Sequence, residues 1–251
     1  MPGKKSIRRQ VKDYLSSQGI ERLTFDRTLD LIDENGKNSN VVKTAFNLNI
    51  PIQNRPDIYD EMQTFQVAYD FAVEAIRRVS MKLNKMQEES ETPLVITDGG
   101  CATGLHTCFF GQSYPQHQVR GYDCQEEMVE RGKQRVREMG LKNTKIYTGD
   151  HFEPKDWEKK GSDLLLIKDP IDVNQMKDVF ANHGNEDFGE SIDRACQRLK
   201  PGGLCVYTGA CACTPERIKE ELRVADTDYE GCETWEVDEM TQKVYMFSFR
   251  K

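Results

Sequence analysis

Apolar positions divide the chain into two regimes. Up to about residue 90 they recur at helical spacing, and beyond it they gather into short runs separated by helical stretches. The spacing predicts a helix over 4–17, with Ile7, Val11, Tyr14 and Leu15 facing inward and Gly19 as a stop signal. A second helix is expected over 25–34, between a Thr24 cap and Gly36. Residues 38–55 read as irregular, because Pro51 and Pro56 oppose regular structure there. A long helix is expected over 57–86, where Ile58, Met62, Phe65, Tyr69, Val73, Ile76 and Val79 form one stripe.

The polar segment EESETP closes this helical extension, 1–90, and the pattern then alternates. Apolar runs at 94–98, 118–123, 145–149, 163–168 and 204–208 read as strands. Helical patterns lie between and after them, at 104–112, 126–139 (closed by Gly140), 173–182, 188–199 and 215–224. Pro201-Gly202-Gly203 is expected as the turn before the fifth strand. Such a βαβ series predicts an α/β fold with a parallel sheet, right-handed crossovers and helices on both faces. The end differs. ETWEVDE and KVYMFSF are joined by a short polar turn around Thr241 and Gln242, so the seventh strand must run antiparallel to its neighbour.

Composition narrows the class. The formal net charge is −7, which disfavours strong non-specific nucleic-acid binding. The exception is the N-terminus, where Lys4, Lys5, Arg8, Arg9 and Lys12 precede Asp13. They read first as the solvated face of an amphipathic helix and secondly as a basic arm for RNA. No apolar stretch approaches the ~20 residues of a membrane helix, and the start lacks the apolar core of a secretory signal. A cytoplasmic chain is expected, with its eight cysteines reduced. Cys211-Ala212-Cys213 is too tight for a usual zinc pair, so no metal is expected.

The chemistry concentrates where strands end. After Val95-Ile96-Thr97 come Asp98, Gly99, Gly100, Cys101, Ala102, Thr103 and Gly104: a buried strand that turns sharply under a nucleotide-like ligand. Gly100 and Gly104 allow close backbone approach. Asp123 and Asp150 end two more strand-like runs. Three strand-end acids suit a cofactor with an amine, a ribose diol and an exocyclic amino group, all of which S-adenosylmethionine carries. The spacing Gly100-x-x-x-Gly104 is not the G-x-G-x-x-G of a dinucleotide fold, and no Gly-Lys-Ser/Thr of a P-loop follows.

The ordered set DGGCATG, YDCQEEMVERGKQRV, TGDHF, DLLLIKD and LKPGGLCVYTG resembles the motifs of class I S-adenosylmethionine-dependent methyltransferases over residues 91–251. Ala102 stands where that family has its middle glycine. The resemblance implies a Rossmann-like, seven-stranded sheet with the last strand antiparallel, and S-adenosyl-L-methionine as cofactor. It implies Asp98, Gly99, Gly100, Cys101 and Gly104 at the methionine end. Asp123 is implied at the ribose, and Met128, Asp150, His151 and Phe152 at the adenine, with Cys124 and Lys168 lining the site. The end of the fourth strand faces the transferred methyl in this fold, so Asp169 is the first candidate to orient or deprotonate an acceptor. Its rival role is to cap the next helix, with Pro170 as first residue. His106 and His151 are secondary candidates.

Asp169-Pro170-Ile171 departs from the Asn/Asp-Pro-Pro-aromatic signature of enzymes that methylate exocyclic amines. The expected acceptor is a small molecule; Phe46, Tyr59 and Phe65 either close over it or form a hydrophobic seam between two parts of one domain. RNA or protein methylation, or a non-catalytic cofactor-binding partner subunit, is the alternative. A homodimer through the long helix is compatible with the pattern, and the sequence leaves it open.

Overall fold

The apolar runs become strands because β-branched and other bulky apolar residues suit a pleat buried on both faces. The computed structural model describes residues 6–24, 56–149, 161–168, 196–210, 228–236 and 243–251. Within these, Val95–Gly99 forms β1, Gln118–Asp123 β2, Thr144–Thr148 β3, Ser162–Lys168 β4, Leu199–Ala210 β5, Asp228–Glu236 β6 and Lys243–Arg250 β7. They make one seven-stranded sheet in the order β3-β2-β1-β4-β5-β7-β6. The pairs among β1 to β5 are parallel, and β7 runs antiparallel between β5 and β6. The expected antiparallel last strand is therefore inserted beside the edge.

The order reverses at β1. The chain moves outward through β2 and β3, then returns to β4 on the other side of β1. Gly99 lies opposite Tyr122 of β2 and Ile167 of β4. The carboxyl ends of these strands bound the crevice in which open α/β sheets hold ligands.

Helices Ile7–Ser17 (α1) and Gln66–Glu88 (α3) cover one face with Leu105–Ser113 (α4). Val11, Tyr14 and Leu15 share a core with Tyr69, Val73, Ile76, Val79 and Leu83, with Phe109 and Phe110, and with Ile96, Leu164, Leu166 and Val206 of the sheet. Leu15, Ile76 and Leu83 are fully buried, and each contributes about 1.5–3 kcal/mol. On another side, Val129 of Glu126–Glu138 (α5) packs on Cys101 and Ile146.

Two expectations need correction. The helix expected over 57–86 is two: Pro56–Met62 (α2) and α3. The Thr64 hydroxyl donates to the Glu61 carbonyl at 2.7 Å, and the Thr64 carbonyl accepts from Leu23 N–H at 2.9 Å. These bonds divert the backbone, and Phe65 is extended as the cap of α3. Pro201-Gly202-Gly203 is not a turn before β5 but an irregularity inside it. Ser162 pairs with Leu199 and Leu164 with Leu204, so β5 carries extra residues. Gly202 absorbs them at φ 76°. Leu199, the expected end of the helix over 188–199, belongs to β5 instead, and residues 188–195 lie outside the described residues. The expected helices 25–34, 173–182 and 215–224, the irregular segment 38–55 and the turn at 241–242 lie outside the described residues.

Candidate functional site

The loop after β1 is shaped by dihedrals that few residues adopt. Gly100 (φ 71°), Ala102 (φ 46°) and Gly104 (φ 72°) all lie in the left-handed region. Gly100 and Cys101 N–H both donate to the Tyr122 carbonyl at 2.9 Å, which draws the loop across the end of β2. Gly104 then starts α4, whose first turn has backbone N–H groups without intrahelical partners.

Two acids meet on this loop. Asp98 is buried, and its Oδ2 accepts from the Thr107 hydroxyl at 2.6 Å. Asp123 ends β2 and is nearly buried. Its Oδ2 accepts Ala102 N–H at 2.7 Å and its Oδ1 accepts Gln125 N–H at 2.9 Å. Asp123 thus does structural work not expected from the sequence: it holds the strained residue of the loop. A carboxylate oxygen can accept two bonds, so this role is compatible with binding a diol.

A small pocket opens among Tyr59, Gln63, Asp98, Gly100, Cys101, Leu105 and His106. Burial, then Asp98 and Asp123, push the Cys101 thiol well up, so it stays a neutral lining group. Burial first, then Asp123 and Asp98, raise the Tyr59 phenol, which remains a neutral donor beside both acids. The donor set fits the cofactor named above. Its ammonium and its ribose hydroxyls are donors that need acceptors, and the Asp98 and Asp123 carboxylates are acceptors of the kind that would hold them. Its carboxylate is an acceptor, and the start of α4 offers N–H groups.

The structure brings Asp98, Gly99, Gly100, Cys101, Gly104 and Asp123 together. Cys124 is exposed just past β2, and Met128 is buried on α5. Lys168 ends β4, where it pairs with Thr208. His106 joins the pocket and is buried. Asp150, His151, Phe152 and the acceptor-side candidate Asp169 lie outside the described residues, as do Phe46, Cys211 and Cys213.

Three participants were missed by sequence reasoning. Asp60 of α2 accepts from the Thr103 hydroxyl at 2.6 Å and from Arg135 Nη2 at 2.7 Å. Arg135 is buried and also donates to the Thr103 carbonyl. Gly132 lets α5 approach the loop: a Cβ there would lie 2.7 Å from Ile146 Cδ1 and 3.4 Å from the Thr103 carbonyl carbon. A signal existed. Met128, Val129, Gly132 and Arg135 share the inward stripe of α5, where a glycine and an arginine are out of place without a packing reason.

Comparisons with known proteins agree with this geometry. The family described as "Methyltransferase domain" matches residues 90–249. The ribosomal RNA small subunit methyltransferase B of Vibrio cholerae is 25% identical over 141 residues, which are 51% of this chain and 32% of that protein. This chain therefore spans about a third of that relative's length. Among solved structures, an S-adenosylmethionine-dependent methyltransferase from Clostridium acetobutylicum superposes with a TM-score of 0.53 at 11% identity, covering 68% of this chain and 89% of that one. The [4+2]-cyclase SpnF gives 0.51 at 14% identity, covering 70% and 82%. These likenesses concern the fold. The family match covers well over half of the chain, through the glycine loop, the strand-end acids and the inserted antiparallel strand, and the chain belongs to the class I methyltransferase-domain family, whose cofactor is S-adenosyl-L-methionine.

Proposed function

We propose that the protein transfers a methyl group from S-adenosylmethionine to a small-molecule acceptor. The observation that carries this reading is the glycine loop held between Asp98 and Asp123, with Tyr59 of α2 and Gln63 just beyond that helix lining the pocket beside it. The departure of Asp169-Pro170-Ile171 from the signature of enzymes that methylate exocyclic amines favours a small acceptor over a base. The net charge of −7 supports the same choice, since a polyanion would be repelled.

When bound, the cofactor supplies an activated sulfonium methyl for in-line displacement. The residues of this chain bind and orient. Asp123 and the loop it holds would fix the ribose, Asp98 would accept from the ammonium, and the start of α4 would face the carboxylate. Alignment and exclusion of water can provide much of the rate for so reactive a donor. Asp169, which follows Lys168 in sequence, is the proposed group for orienting the acceptor or taking its proton.

A second reading is RNA methylation. It is favoured by the name of the Vibrio cholerae relative and by exposed Arg8, Arg9 and Lys12 on α1. Arg9 already pairs with Asp13 at 3.1 Å, which reduces that surface charge. Radiolabelled S-adenosylmethionine offered with a small-metabolite extract, total RNA and total protein separates the readings. Label in the small-molecule fraction, lost in Asp169→Ala at unchanged cofactor affinity, is the expected result. Label in RNA or protein alone would overturn the acceptor proposed here. No label anywhere, with cofactor bound, would favour a non-catalytic partner subunit.

A further inference from the structure

Among the described residues, Asp60 holds the glycine loop from outside the region that matches the family. Asp60 Oδ1 accepts from the Thr103 hydroxyl at 2.6 Å, and Oδ2 accepts from Arg135 Nη2 at 2.7 Å and Arg131 Nε at 3.4 Å. Arg135 Nη1 returns to Thr103, donating to its hydroxyl at 3.0 Å. Asp60, Thr103 and Arg135 therefore form a closed ring of polar contacts around the loop. Arg135 is only 1% exposed, and a buried guanidinium that loses its carboxylate is strongly destabilising. Asp60 is thereby kept in place, and with it the register of α2.

That register decides what faces the pocket. Gln63 lies three residues beyond Asp60, its backbone N–H bonded to the Asp60 carbonyl at 3.2 Å, and its side chain is buried. Tyr59 precedes Asp60, and both Tyr59 and Gln63 line the pocket with Asp98, Gly100 and Cys101. These neighbours belong to the methionine end of the site, not to its adenine end.

We infer that Tyr59 and Gln63 bind the amino-acid end of S-adenosylmethionine, and that Asp60 is the positioning residue that docks them there. The inference rests on the cofactor reading given above. The chemistry matches. An amide can donate to a carboxylate and accept from an ammonium, and a phenol can donate to either a carboxylate or an ether oxygen. The cofactor site is then completed by residues 56–63, which lie before the family-matching region 90–249.

Calorimetry on the full chain with two probes tests this. S-adenosylhomocysteine carries the amino-acid end, whereas 5′-methylthioadenosine keeps the adenosine and the thioether and lacks it. Gln63→Ala leaves the Asp60–Arg135 pair intact. It should weaken S-adenosylhomocysteine about tenfold and leave methylthioadenosine unchanged. Asp60→Asn should give the same selective loss, with at least as large a factor. Should Asp60→Asn fail to fold, Gln63→Ala still decides. Equal affinity of Gln63→Ala and wild type for both probes, or an equal loss of both, overturns the inference while leaving the cofactor reading standing. A wild type that binds neither probe overturns the cofactor reading, and this inference with it.

Discussion

Ala102 shows how a residue that looks like a mild departure can be a point of strain. By sequence it replaces a family glycine with the next smallest side chain. In the structure it sits at φ 46°, where a Cβ costs roughly 1–2 kcal/mol. The Asp123 carboxylate holds its N–H at 2.7 Å and keeps it there. Ala102→Gly should stabilise the protein by up to about 1 kcal/mol, the entropy of glycine offsetting part of the relief. Urea denaturation measures this, and a loss of stability would show that no strain resides there. His117 is a second residue whose role is not legible in sequence. Its Nδ1 accepts Leu94 N–H at 3.1 Å, and its ring stacks on Tyr114. Burial lowers its pKa below 6.5, with Asp163 opposing. The unfolded chain therefore takes up this proton first as pH falls. The contribution of His117 is full above its unfolded pKa and is lost as pH drops from there through the folded value. Stability measured from about pH 7.5 down to about pH 5 should fall in this window, and less so in His117→Asn.

At the scale of elements, the sheet was legible because parallel strands buried on both faces write themselves as short apolar runs. The terminal hairpin was legible because a short polar link admits only antiparallel pairing. What was not legible depends on contacts remote in sequence. The break between α2 and α3 is set by Thr64 and Leu23, and the irregularity in β5 by the pairing of Gly202 and Gly203 with Lys251. The seam between the glycine loop and α5 is of the same kind. A Cβ on Gly104 would lie 2.4 Å from Ile146 Cδ1 and 3.3 Å from Gly132 Cα. Gly132→Ala would gain about 1 kcal/mol of helix propensity, but overpacking costs about 1–3 kcal/mol. The expected result is net destabilisation. Adding Ile146→Val, which removes the clashing Cδ1, should restore part of the loss. Thermal melts of the two variants check this, and a double variant less stable than Gly132→Ala alone would refute the seam.

Across the whole molecule, α1 and α3 are part of the same core as β1 and β4, while α2, among the described N-terminal helices, reaches the glycine loop through Asp60. The sequence predicted an N-terminal extension beside the site but not how it would be divided. The helical stripes of α1 and α3 look alike whether they cover a sheet or a ligand, and only the Asp60–Arg135 contact separates the two uses. Tyr14 adds a second tie, donating to the Leu105 carbonyl at 2.7 Å at the start of α4. Arg78 and Lys82 of α3 reach Glu233 of β6 at 2.6 and 2.9 Å and bind the helix layer to the sheet edge. Glu233 is 42% exposed, so Glu233→Ala should cost no more than about 1 kcal/mol by urea denaturation.

The central claim is that the loop between Asp98 and Asp123 holds S-adenosylmethionine. Isothermal titration calorimetry with S-adenosylmethionine and S-adenosylhomocysteine, on wild type and on Asp123→Ala, tests it most directly. Micromolar binding of both to the wild type and loss of both in a folded Asp123→Ala are expected. Absence of binding to the wild type, or undiminished binding to the variant, would contradict it.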